Sequence, residues 1–181
     1  MNDVLTMMRE AAGRTADLVE SVTGDELSLP TPCSDYDVKG LINHLEWAMT
    51  LFESVGEGGG FPPQKEYTGD FRARAERMLA VWERPETWEG ACEAMGGLPK
   101  ATLARMALTD LVAHGWDLAK ATGRDFEASQ EAAELLAEFA ARQAPTGRKM
   151  GAFGPEVKVP DDAPALDRFL GLIGRDPAWK P

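Results

Sequence analysis

Apolar residues in this chain return every three or four positions, over stretches too long for strands. The clearest run is Val38, Leu41, Ile42, Leu45, Ala48, Met49, Phe52 and Val55, one broad stripe on a helical period. Alternation of β-branched and polar residues, the mark of a half-buried strand, is nearly absent. Such stripes must be buried against one another, which restricts the chain to packed helices. A first helix is expected after an Asn2 cap, with Val4, Met7, Met8, Ala11, Ala12, Ala16 and Leu18 inward and a stop near Gly24. The second starts from Asp37 as N-cap, with Ser34 and Asp35 as alternatives, and ends at GEGGGFPPQ. A third runs from Thr68 to Glu83, stopped by Arg84-Pro85, and a fourth from Lys100 to Thr122, stopped by Gly123. The fifth spans Ser129, its cap, to Gln143. Glu86 to Pro99 reads either as a short strand-like excursion or as an irregular loop. A Gly- and Pro-rich stretch, TGRKMGAFGPEVKVPDDA, leads to one short helix, PALDRFLGLIG. The predicted fold class is all-α: a four-helix bundle with a long crossover between helices 2 and 3, and a short extra C-terminal helix outside it or over an opening. One domain is expected over residues 1–181, with a core bundle at about 2–143 and a tail at 144–181.

Charge narrows the function. There are 19 Lys and Arg against 30 Asp and Glu, a net charge of −11. Nucleic acids and anionic membranes draw cationic surfaces, so neither is an expected partner. The longest stretch free of charged residues is 27–34, far below a membrane span. The opening MNDVLTMMREAAGR lacks the basic-then-apolar order of a signal peptide. Two cysteines, Cys33 and Cys92, form no CxxC motif, which points away from a disulfide framework and toward the cytoplasm.

The chain has two histidines, His44 and His114, both mid-helix on otherwise apolar faces. His44 falls between Leu41 and Ala48 on the inward stripe of the second helix. In the fourth helix the inward line reads Leu103, Ala107, Asp110, His114, Leu118 and Ala121, with Asp117 close to it. Asp110 and His114 are one turn apart on one face. A buried unpaired carboxylate costs several kcal/mol, and a buried imidazole needs partners for both nitrogens. Three explanations are open: an Asp110–His114 ion pair with His44 satisfied separately, an exposed face, or a divalent metal held by His44, Asp110 and His114. Two imidazoles and a carboxylate suit zinc, nickel or another first-row metal.

The stretches TPCSDYDVKGLINHLEWA (31–48) and DLVAHGWDLAKATGR (110–124) resemble the DinB-like superfamily. Within it they are most similar to the actinobacterial branch related to the metal-binding domain of mycothiol-dependent maleylpyruvate isomerase. The tail FGPEVKVPDDAPALDRFLGLIGRDPAW (153–179) is similar to small members of that branch. The resemblance implies a DinB-like four-helix bundle with a metal at one end of its core. Its ligand pattern is a histidine from the second helix and an acidic-x-x-x-His pair from a later one. His44, Asp110 and His114 match these positions, with Asp where the isomerase has Glu. The resemblance also implies mycothiol or a similar small thiol, held as a thiolate nucleophile by the metal. The isomerase adds a second domain that contributes to its active site, and the residues after the fifth helix are fewer than such a domain needs. S-transfer to another electrophile is therefore the preferred expectation over maleylpyruvate isomerisation. The expected partners are a small-molecule thiol and its electrophile, with a homodimer open. A hydrolase using metal-bound water, with Asp117 or Asp110 as base, and a non-catalytic metal-binding protein are the alternatives.

Other residues carry weaker readings. Asp117 is either an acceptor for the His114 Nδ1–H or an exposed partner of Lys120 or Arg124. Cys33 is a reactive thiol before the second helix or a small buried hydrophobe. Trp47 and Trp116 either wall a pocket or pack in the core. Arg148 and Lys149 meet an anionic substrate or lie in a solvated loop. The row Glu131, Glu134, Glu138 reads as a solvated face.

Overall fold

The computed structural model describes residues 3–64, 66 and 68–181. The long helices are α1 (Asp3–Ser21), α2 (Val38–Gly56), α3 (Phe71–Trp82), α4 (Lys100–Ala121) and α5 (Gln130–Lys149), followed by the short α6 (Ala165–Leu172). The expected Asn2 cap lies outside the described residues. Asp37 caps α2, its carboxylate accepting from the Gly40 N–H at 2.7 Å, and Ser129 caps α5 through Ala132. The segment 86–99 is mostly turn. It holds two 3-10 turns, Pro85–Trp88 and Glu93–Met95, and a hairpin of two-residue strands, β1 (Ala91–Cys92) antiparallel to β2 (Leu98–Pro99).

Helices α1–α4 make the bundle. α1 packs on α4 and α3, and α2 packs on α3 and α4. Val38, Leu41, Ile42, Leu45, Leu103, Leu108, Leu111 and Leu118 are fully buried between them. Each contributes about 1.5–3 kcal/mol of apolar burial. Gly115 allows one close approach: a Cβ there would meet Thr15 Oγ1 and the Phe126 ring at 2.6 Å. Thr15 uses that proximity to donate to the Leu111 carbonyl at 3.1 Å, tying α1 to α4 one turn before His114.

The 2–3 crossover is long, as expected, and is pinned from below. Glu46 on α2 is 3% exposed. Its carboxylate accepts from Thr68 Oγ1 at 2.8 Å and from the Asp70 N–H at 2.9 Å, with Arg74 Nε at 3.4 Å. The free donors of the α3 N-terminus are thus met by a buried anion. Because residues 68–70 serve this contact, α3 begins at Phe71 rather than at Thr68.

The fifth helix differs from the expectation. It does not stop at Gln143 but continues through Pro145 to Lys149, so residues 144–149 are helix rather than loop. A proline removes one N–H and usually ends a helix. Here tertiary packing compensates: α6 lies along α5, the Phe153 ring covers Gly147, and Arg148 donates to the Leu172 carbonyl at 3.0 Å. The α5–α6 pair sits outside the bundle, where the short C-terminal helix was expected.

Two helices end in the same way. At α4, Gly123 (φ +66°) lets Arg124 N–H reach the Ala119 carbonyl at 2.8 Å. At α6, Gly174 (φ +87°) lets Arg175 N–H reach Leu170 at 2.8 Å, while Gly174 N–H meets Gly171 at 3.1 Å. These are Schellman ends, which need a left-handed residue and therefore favour glycine. In each, the arginine that follows turns back toward the protein.

Candidate functional site

The site lies between α2 and α4. His44 projects from α2, and Asp110, His114 and Asp117 project from α4. One donor atom each of His44, Asp110 and His114 lies within 4.8 Å of the others. The two imidazole rings stand edge-on, 4.8 Å apart at 80°. Zinc holds nitrogen and oxygen donors at about 2.0–2.2 Å, so donors on opposite sides of one ion are at most about 4.4 Å apart. The bound on the three donors is close to that limit, so little or no side-chain rotation is needed to bring them onto one ion.

Each histidine is oriented by a second residue. Asp117 Oδ2 lies 3.0 Å from His114 Nδ1. A carboxylate only accepts, so Nδ1 carries the proton and the Nε2 lone pair is left available. Tyr36 Oη lies 3.3 Å from His44 Nδ1, and the two rings stack at 5.1 Å; with the Nδ1–H donating to the phenol oxygen, Nε2 of His44 is available too. A metal-ligating histidine is characteristically held like this by its other nitrogen. Tyr36 is delivered by the turn before α2: Thr31 Oγ1 donates to the carbonyls of Cys33 at 2.9 Å and Tyr36 at 2.8 Å. The TPC motif therefore shapes the entry to the site.

The two carboxylates of α4 are pushed in opposite directions. Burial raises Asp117, but the hydrogen bond from His114 and the charge of Arg175 outweigh it, and it stays below the ordinary Asp range. Burial raises Asp110, and the charges of His114 and Arg175 do not offset it. Asp110 is the under-compensated anion of the site, and a cation would relieve it. His44 is pushed down to about 3, by burial first and then by the neighbouring His114 and Arg175 charges. At neutral pH it is the uncharged imidazole that ligation requires.

Arg175, invisible to helical phase, is the third layer. Its Nη2 donates to Asp117 Oδ2 at 3.0 Å, and its Nε lies 3.4 Å from Oδ1. Both side chains are buried, at 9% and 0% exposure. Arg175 and Asp117 are 58 residues apart, and no periodic pattern links them. The available signal was the repeated Gly-Arg at helix ends, 123–124 and 174–175. Tyr36 was missed because it sits in a loop, where helical phase says nothing about direction.

The weaker readings also resolve. Asp117 accepts from His114 and is not an exposed partner of Lys120 or Arg124. Arg124 instead pairs with Glu26 at 2.7 Å, and Lys120 lies over the Trp116 ring at 5.4 Å. Trp47 stands 6.0 Å from His44 and stacks on the exposed Phe61, so it borders the site, while Trp116 is buried and engages Lys120. Cys33 Sγ, His114 and Asp117 form a second cluster within 4.8 Å. Asp117 there is already committed to His114 and Arg175, and burial pushes the Cys33 thiol up, away from the reactive thiolate. Arg148 caps α6 rather than an anionic ligand. Among the described residues, no helix is long and apolar enough to cross a membrane.

Residues 8–69 match the family model of the mycothiol maleylpyruvate isomerase N-terminal domain. The match takes in His44 and stops short of Asp110 and His114. The uncharacterized proteins MT0763 and Rv0738, from two strains of Mycobacterium tuberculosis, are each 29% identical to this chain, across 96% of it and 98% of their own length. No solved structure gives a significant match.

Proposed function

We propose that this protein binds one divalent metal, zinc or nickel, through His44, Asp110 and His114, and uses it with a small thiol of the mycothiol type in an S-transfer or isomerisation. The observation that carries this is the convergence of three donors from two helices, with each histidine's Nδ1 already held by Tyr36 or Asp117. The family name matched over residues 8–69 supports the thiol. Bound there, a divalent cation lowers a thiol's pKa from about 8.5 and keeps the thiolate as nucleophile at neutral pH.

The chain's own residues supply the rest. Tyr36 and Asp117 fix the ring planes, Asp110 brings one negative charge, and the Asp117–Arg175 pair adds none in sum. Among the described residues the donor set holds three groups and no fourth, which leaves room for an external ligand. Trp47 and Phe61 offer an apolar edge for the electrophile. A hydrolase reading has less support, because Asp117 is fully engaged by His114 and Arg175 and is no free base.

Conversion of a panel of electrophiles with mycothiol is the direct test. Turnover should require the thiol, vanish on chelation and return with zinc or nickel. Turnover that is indifferent to the chelator, or to omission of the thiol, overturns the reading. Asp110→Asn gives a second check. It should cut metal content sharply without lowering the melting temperature of the metal-free protein, because it replaces a half-buried carboxylate whose burial is not offset by its neighbours with a neutral amide.

A further inference from the structure

We infer that Arg175 is a positioning residue that couples docking of the C-terminal segment to metal affinity, a regulation of the site proposed above that rests on that reading. Three independent features converge on it. The guanidinium is buried against Asp117, making contacts at 3.0 and 3.4 Å, and Asp117 holds His114 Nδ1 at 3.0 Å. A continuous chain of bonds thus runs from the segment after α6 to a candidate ligand.

The segment is also seated by packing and by backbone bonds. Phe169, Leu170 and Ile173 are buried at 0%, 0% and 1% exposure. A Cβ on Gly174 would meet the Gly154 backbone at 2.6 Å, so only glycine lets the backbone beside Arg175 pack this closely on 154. Val157 N–H donates to the Gly171 carbonyl at 2.9 Å, and Gly154 N–H to Ile173 at 3.2 Å. Finally, Arg175 comes out of a Schellman end whose geometry dictates its direction.

The consequence is reciprocal. If the segment lifts, Asp117 loses both guanidinium contacts and keeps only its contact to His114, and the imidazole loses its support. By linkage, the factor by which lifting weakens metal binding equals the factor by which metal suppresses lifting. Partners that orient a ligating histidine are worth about 10–100-fold in metal affinity.

The test uses the full chain and Zn2+, with chelator competition for affinity and amide hydrogen exchange across 165–175 for docking. Arg175→Met should weaken Zn2+ binding about 10–100-fold and change the ligand-field spectrum of the Co2+-loaded protein. Arg175→Lys should recover part of the affinity. Arg124→Met, which cuts the matching Gly-Arg contact to Glu26, should leave affinity unchanged. In the wild type, Zn2+ should slow exchange at 165–175. Should Arg175→Met fail to fold, the Lys variant and wild-type exchange decide alone. Unchanged affinity in the Arg175 variants, or exchange indifferent to Zn2+, overturns this inference and leaves the metal site standing. A wild type that binds neither zinc nor nickel sinks both.

Discussion

His114→Ala should abolish stoichiometric metal binding, with affinity falling by at least about three orders of magnitude, while the protein stays helical. Most of the site's polar contacts converge on His114. It offers a donor next to those of His44 and Asp110, and it receives Asp117 and, through it, Arg175. Removing the ring takes away a donor worth several kcal/mol to a first-row cation and leaves Asp117 with Arg175 alone. Asp117→Asn provides the scale. The amide keeps the shape but weakens the hold on Nδ1, so it should lose about 10–100-fold. Elemental analysis after dialysis, with circular dichroism on the same samples, reads both. If His114→Ala keeps wild-type metal content, the donor set is wrong.

Glu46→Ala should destabilise the bundle by about 3 kcal/mol, the lower end of the cost of breaking a buried ion pair from one side, since Arg74 is partly exposed. The deletion removes the counter-charge of Arg74, which keeps only Thr50 and Thr68, and leaves the N–H groups of Thr68 and Asp70 without their acceptor. For a domain of this size, each kcal/mol moves the midpoint by about 2–4 °C, so the melting temperature should drop by roughly 10 °C. Glu46→Gln should cost less, since the amide oxygen still accepts from Asp70. A midpoint within a degree or two of wild type for Glu46→Ala would show that the crossover is held by other contacts. Metal affinity per folded molecule should barely change in either variant.

How much of this was legible in the sequence follows from the range of each signal. Helical phase is local, and it placed His44, Asp110 and His114 on inward faces, with Asp117 beside them. The TPC and HGWD stretches carried the family resemblance; TPC lies within the matched residues 8–69, and HGWD lies outside them. Contacts with no period escaped. Glu46 looks like any solvated glutamate on a helix, because the donors it meets lie 22 and 24 residues further on. Pro145 carries a local stop signal that packing against α6 overrides. Arg175 lies after a stretch of glycines and prolines that reads as featureless, and its partner is on another helix. The ambiguous segment 86–99 became a tiny hairpin that no alternation of two residues can announce.

The order in which the chain is made gives the long span from Asp117 to Arg175 a further meaning. A ribosome delivers residues one after another, so His44, Asp110, His114 and Asp117 all emerge before the arginine that neutralises Asp117. Until those 58 residues follow, the nascent bundle carries two acidic side chains facing its interior without a counter-charge. The buried pair of Asp117 and Arg175 therefore cannot close before residue 175 has been made. The apolar faces of α1–α4 are all in hand by residue 121, well ahead of the charge that completes the ion pair beneath His114.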